Sequence, residues 1–158
     1  MWDNRTTHTR GFVAMIVDQI LAEKGRDVAT VTPDTTVAGA VAALAQHNVG
    51  ALVVSIDGST VDGILSERDI VRRIAEVGGQ ALDQPVRDLM KAEVATCDGH
   101  ADSEHVMNTM TEGRFRHLPV VADGKLAGII SIGDVVKVRI TELATEAEQL
   151  VGYIRDGR

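Results

Sequence analysis

Two short stretches carry the side chains best suited to chemistry. Ser66-Glu67-Arg68-Asp69 and Ser131-Ile132-Gly133-Asp134 each set a hydroxyl three residues before a carboxylate. Each follows a glycine and an aliphatic run, Gly63-Ile64-Leu65 and Gly128-Ile129-Ile130, and each precedes a helix-like stretch. A serine at a helix N-cap with an acid at N3 forms a capping box, useful to any helix. The same groups also suit a ligand. A helix N-terminus with a hydroxyl offers donors to a phosphate, and a carboxylate accepts the two hydroxyls of a sugar diol. The two uses are compatible, and two copies imply two such places.

Other candidate groups are fewer. Arg114, Arg116 and His117 precede a strand-like run. They suit either a solvated turn with salt bridges or the capture of a phosphate, and Arg68 is a similar candidate. Arg72 and Arg73 fit a solvated helix face. His47, His100 and His105 are not spaced as metal ligands on one helix face, so no metal site is expected. No nucleophile–base pair, paired carboxylates or CxxC motif stands out, so neither catalysis nor a catalytic cofactor is expected.

The elements that must position these groups follow from periodicity. A helix is expected from Ile16 to Ala22, ending at Lys24-Gly25. Val28 to Val31 reads as a short strand, stopped at Pro33. Asp34-Thr35-Thr36 offers caps for a helix whose buried stripe is Val37, Ala40, Val41 and Leu44, closed by Gly50. Ala51 to Ile56 reads as a strand covered on both faces. Asp57-Gly58 is a hairpin signal, and Val61 to Leu65 returns as the next strand. A helix from Ser66 to Val77 should bury Ile70, Val71 and Ile74.

Past Gly78-Gly79 the order repeats. Pro85 to Met90 resembles Val17 to Leu21. A strand is expected at Val94 to Cys97, with Cys97 in the core, and a helix from Asp102 to Gly113 burying Val106, Met107 and Met110. Leu118 to Val121 and Leu126 to Ser131 flank the Asp123-Gly124 turn. A last helix starts near Ile132. The stretch from Thr141 to Ile154, with its stripe of Leu143, Ala147, Leu150 and Ile154, either prolongs it or forms another helix.

A shift of 66 positions carries Val28-Ala29-Thr30 onto Val94-Ala95-Thr96 and Asp57-Gly58 onto Asp123-Gly124. A shift of 65 then carries Gly63, Ser66 and Asp69 onto Gly128, Ser131 and Asp134. The expected fold is therefore α/β (α+β): two tandem β-α-β-β-α units packed with pseudo-twofold symmetry. A unit of about 60 residues buries too little surface alone, so the units should pair within the chain. The expected organisation is an N-terminal arm over 1–16, units over 17–78 and 79–140, and a helical tail over 141–158.

Composition narrows the function classes. The chain has 158 residues and a formal net charge of −7, which argues against a general binder of nucleic acid or anionic membrane. Hydrophobic residues make up 44% and aromatics only 3%, so the core must be aliphatic. A lone cysteine, Cys97, fits a reducing compartment. No apolar run approaches the roughly 20 residues of a membrane span, and the first residues lack a signal-peptide apolar region. A cytoplasmic protein is expected.

The doubled order of motifs resembles the cystathionine-β-synthase domain family, the CBS domains. The resemblance covers roughly residues 17–140. It rests on Asn48-Val49-Gly50-Ala51-Leu52-Val53-Val54 with Gly63 to Asp69, and on Arg114-Phe115-Arg116-His117-Leu118-Pro119-Val120-Val121 with Gly128 to Asp134. It implies regulatory sensing without catalysis, disc-like homodimers, and adenosine ligands in two clefts that each mix both units. Carried over, the first cleft would use Ile129, Ser131, Gly133 and Asp134 with Val28, Ala29, Val49, Gly50 and Ala51. The second would use Ile64, Ser66, Arg68 and Asp69 with Val94, Ala95, Phe115, Arg116, His117 and Leu118. Gly133 stands where many members carry a side chain near phosphate. The implied ligand is AMP, ADP, ATP or NAD(H). The alternatives are a ligand-free dimeric scaffold, or a sensor of another adenosyl compound such as S-adenosylmethionine. Any signal would pass to a separate, unidentified protein.

Overall fold

Glycine notches on two strands dictate how the chain folds back on itself. The computed structural model describes residues 13–157, so the polar arm over 1–12 lies outside the described residues. The elements are α1 (Val17–Lys24), β1 (Thr30–Val31), α2 (Val37–His47), β2 (Ala51–Val54), β3 (Gly63–Ser66), α3 (Glu67–Val77), α4 (Ser103–Gly113), β4 (His117–Ala122), β5 (Lys125–Ser131) and α5 (Ile132–Asp156). Two short 3-10 segments, Gly78–Asp83 and Val86–Asp88, join the halves.

In the first half β1 runs parallel to β2, and β2 pairs antiparallel with β3. All four β2 residues are buried, as a strand covered on both faces requires. In the second half β4 and β5 form an antiparallel pair around Asp123 (φ 51°) and Gly124 (φ 76°). Two successive left-handed residues give the tight turn that the Asp-Gly signal foretold. The Asp57-Gly58 signal produces something wider. There the Asp57 carboxylate accepts from the Ser59 and Thr60 amides at 2.8 and 2.7 Å, and β3 begins only at Gly63.

The expected strand at Val94 to Cys97 does not form; only Cys97 bridges to Val120. The cause is Pro119. In the first half the Val53 amide donates to Ala29 (3.2 Å) and the Ser55 amide to Val31 (2.9 Å). The position matching Val53 is Pro119, which has no N–H. The matching rung is lost, while the Val121 amide still donates to the Cys97 carbonyl (2.8 Å) and the Cys97 amide to the Pro119 carbonyl (3.1 Å). Cys97 packs against the core without lying fully inside it, and burial pushes its thiol up to about 11.

Two cores result, and each borrows a segment from across the repeat. Val37, Ala40, Leu44, Leu52, Val54, Leu65 and Ile70 pack with Val86, Leu89 and Met90. Val106, Met110, Leu118, Val120, Ile130 and Val135 pack with Val17, Ile20 and Leu21 of α1. Thus α1, first in the chain, completes the second core. A Cβ on Gly128 would lie 2.7 Å from Leu21 Cδ1, and one on Gly63 would lie 2.7 Å from Met90 Sδ.

Several expectations are corrected at the surface. Val41 and Val71 are 40% and 65% exposed, so they leave the buried stripes. Ile74 stands at the margin and Met107 packs against the core from its edge. Helix α2 is closed by Asn48 in the left-handed region (φ 52°), not by Gly50. Helix α5 runs unbroken to Asp156, which resolves the tail as a prolongation.

One polar cluster fastens α5 to the start of the chain. Glu142 is buried and accepts from the Met15 amide (2.6 Å), from the Ser103 hydroxyl (2.9 Å) and from Arg139 Nη1 (2.8 Å). Hydrogen bonds to a charged group contribute about 1.5–3 kcal/mol, and their loss strands the donors. Glu142→Ala should therefore cost about 2–3 kcal/mol in urea unfolding; an unchanged midpoint would contradict this role.

Candidate cleft between the two halves

Helix α3 starts at Ser66, which takes an extended backbone (φ −107°) so that its hydroxyl accepts from the Asp69 amide at 3.3 Å. Asp69 Oδ2 in turn accepts from the Ser66 amide and hydroxyl, both at 2.9 Å. The same box recurs at α5. The Ser131 amide donates to Asp134 Oδ2 at 2.8 Å, and the Asp134 amide donates to Ser131 Oγ at 3.2 Å. The capping reading of both motifs is thus realised. It consumes one oxygen of each carboxylate and leaves Oδ1 for another partner.

Asp69 opens into a cavity of about 350 Å³ that spans the two halves. Its lining includes Ile64, Ser66, Arg68, Asp69, Val94, Ala95, Phe115, Arg116 and His117, which the sequence assigned to the second cleft. Leu118 departs from that set, since its side chain is fully buried in the second core. Gly50, assigned to the first cleft, lines this cavity instead, together with Glu67, Lys91, Glu93, Gly113 and Arg114. Lys91 and Glu93 escaped the sequence reading because no motif marks them, and Glu67 because it stands at a variable position within the Ser66–Asp69 motif. Lys91 arrives through backbone pairing with Ile64, at 3.0 Å in both directions.

Local backbone explains the basic wall. Arg114 ends α4 in the left-handed region (φ 56°), and the Phe115 amide returns to Met110 at 3.2 Å. A left-handed residue other than glycine is costly, yet here it turns the chain so that Arg114, Phe115 and Arg116 line one wall. Among the described residues, Arg68, Arg114 and Arg116 have no ion-pair partner. Lys91 Nζ stands 4.0 Å from Asp69 Oδ1.

The first set behaves differently. Val28 and Ala29 flank β1, Val49 and Ala51 flank Gly50, and Ile129, Ser131 and Gly133 sit at the β5–α5 junction. Of that set only Asp134 lines the other large cavity, about 400 Å³ between α1 and α5. Gly133 is exposed, and a Cβ there would meet only the Ser131 hydroxyl, at 3.7 Å. Lys24 Nζ donates to Asp134 Oδ2 at 2.5 Å and to the Ile129 carbonyl at 2.9 Å. Burial pushes the Asp134 carboxyl up, but the Lys24 and Ser131 donors outweigh it and hold the group below its ordinary range.

Fold and cavity together define a paired-repeat module with a ligand-sized cleft between its halves. Comparison with known proteins agrees. The family model for the CBS domain matches residues 21–76 and 86–141. The mitochondrial CBS domain-containing protein CBSX3 of Arabidopsis thaliana is 36% identical over 155 residues, covering 93% of this chain and 75% of the plant protein. A CBS-domain protein from Agrobacterium tumefaciens superposes with a TM-score of 0.76 at 47% identity, covering 79% of this chain and 99% of that one. A CBS domain protein from Pyrobaculum aerophilum, solved in complex with AMP, superposes with a TM-score of 0.68 at 25% identity, covering 76% of this chain and 89% of that one. The chain belongs to the CBS domain family. It is a CBS pair, with two tandem repeats in one module. No helix among the described residues is long and apolar enough to cross a membrane, and no group of them could hold a metal ion.

His117 stands at the hinge of both sets. Burial is the main cause that lowers its pKa from 6.5; Lys24 lowers it further, while Glu67 and Asp134 act against this. The unfolded chain therefore takes up this proton more readily than the folded one. Stability from neutral His117 is full above about pH 6.5 and falls as pH drops below it. In a nuclear magnetic resonance titration the His117 midpoint should lie below 6.5; a midpoint above that value would contradict the packing.

Proposed function

We propose that this protein is a non-catalytic sensor that binds an adenine nucleotide (AMP, ADP, ATP or NAD(H)) in the Asp69 cavity. One observation carries the proposal. A carboxylate with a spare oxygen, a helix N-terminus and three arginines without ion-pair partners among the described residues share one cavity between the repeats. Asp69 Oδ1 would accept the ribose hydroxyls, and Arg116 with Arg68 and Arg114 would meet the phosphate. Ile64, Val94 and Ala95 would sandwich the base, with Gly50 letting it approach closely. The cavity of about 350 Å³ lies in the range of small-ligand sites. The AMP complex of the Pyrobaculum relative supports this choice of ligand.

Self-association completes the proposal. Leu143, Leu150 and Ile154 on α5 are 52%, 62% and 72% exposed, an apolar stripe suited to a second copy. Occupancy would then reach a separate protein in a reducing, cytoplasmic setting, in keeping with the lone Cys97. The same stripe favours the scaffold reading, and a thermal-shift panel separates the two: a specific ligand raises the midpoint by mass action, while a scaffold responds neither to a nucleotide nor to S-adenosylmethionine.

Two substitutions test the assignment of groups. Asp69→Asn should weaken AMP at least about tenfold, since charge-assisted hydrogen bonds contribute roughly 1.5–3 kcal/mol and about 1.4 kcal/mol is a factor of ten. Arg116→Ala should weaken AMP and flatten its salt dependence. Calorimetric titration reads both, and normal affinity in the Asp69 variant would remove the ribose role.

A further inference from the structure

The two repeats carry matching capping boxes, yet their aspartates keep different company. Both differences start from the glycine notches. Leu21 seats against Gly128 and Met90 against Gly63. After Leu21 the chain stays helical until Gly25, whose amide returns to Leu21 at 2.7 Å. That helical turn presents the Lys24 side chain to β5, where its ammonium takes the Ile129 carbonyl (2.9 Å) and Asp134 Oδ2 (2.5 Å). After Met90 the chain is extended instead. Lys91 spends its backbone on Ile64, and its ammonium comes no nearer than 4.0 Å to Asp69.

The consequence is electrostatic. Oδ2 accepts two hydrogen bonds at each aspartate, from the Ser131 amide and the Lys24 ammonium at Asp134 and from the Ser66 amide and hydroxyl at Asp69, so the two sites differ in the cation and not in the number of acceptors filled. The Asp134 charge is already balanced at contact distance by a half-buried partner. A sugar diol would meet there a carboxylate whose charge Lys24 already neutralises, whereas at Asp69 it meets an acceptor whose cation stands off. The surroundings agree. Lys24 itself lines the cavity beside Asp134, between α1 and α5.

We infer that Lys24 determines which cleft takes nucleotide. It keeps the Asp134 charge neutralised in an ion pair, so the protein binds one nucleotide per chain, at Asp69, and loss of the Lys24 ammonium adds a second site. This rests on the nucleotide reading above and goes beyond it by assigning the inequality of the clefts to one side chain.

Calorimetric titration of the full chain with AMP tests this directly. Wild type should bind one AMP per chain, Lys24→Met should bind two, and Lys24→Arg, which keeps a cation on Asp134, should stay at one. The double variant Lys24→Met/Asp69→Asn should keep the released site unchanged while the Asp69 site weakens at least about tenfold. Lys24 lies on the surface at the end of α1, and circular dichroism confirms that each variant is folded; Lys24→Gln serves if methionine disturbs the helix. Two sites in wild type, or one site in a folded Lys24→Met, would overturn the role of Lys24 and leave the nucleotide reading standing. No binding by any variant would overturn both.

Discussion

The structure depends on two close approaches, Leu21 on Gly128 and Met90 on Gly63. A side chain on either glycine would overlap its neighbour, at 2.7 Å in both cases. Because neither strand carries a Cβ there, a segment from elsewhere in the chain can lie flat on it. The segment that precedes each repeat therefore completes the core of the other. This exchange interlocks the halves, which are individually small for an independent core. The space between them becomes a fixed feature of the fold. The Asp69 cavity is bounded by the end of one repeat's strand pair and the Arg114–His117 turn of the other, so it exists only while both exchanges hold.

Much of this was legible because the chain states its design twice. The serine–aspartate boxes, the Asp123-Gly124 turn and the stripe of Val37, Ala40 and Leu44 each express a local rule, and local rules are visible in sequence. The exchange of α1 was not legible. Its apolar face is equally compatible with either core, and the choice is made by long-range packing against Gly128. Pro119 is a different case. Its missing N–H cancels a rung of the parallel ladder, and the expected strand at Val94 to Cys97 shrinks to the bridge at Cys97. That signal was present in the sequence, but its meaning requires knowing which residue lies across the sheet. Val41 and Val71 fit a buried period yet face outward, because apolar spacing does not say whether the covering surface lies within the same chain.

The cleft assignments divide along the same line. The Asp69 set is gathered in one cavity, apart from Leu118, whose side chain turns into the core. The Asp134 set matches it in sequence but not in setting. Lys24 lies far from Asp134 in the chain and carries no motif, so only the folded structure brings the two together. Symmetry in sequence thus becomes asymmetry in chemistry through a single difference: the chain remains helical after Leu21 and extended after Met90. His117 lies between the two sets, close to Gly50 and within the electrostatic reach of both Glu67 and Asp134. Events at Asp134 would bear on this imidazole, which also lines the Asp69 cavity.

The central claim is that adenine nucleotide enters the space between the repeats on the Asp69 side. Backbone amide mapping by nuclear magnetic resonance during an AMP titration tests it most directly. The account predicts saturable shifts concentrated at residues 64–69, 93–95 and 113–117, with the Lys24–Asp134 region little affected. Shifts centred on residues 129–134, or none that saturate, would contradict it.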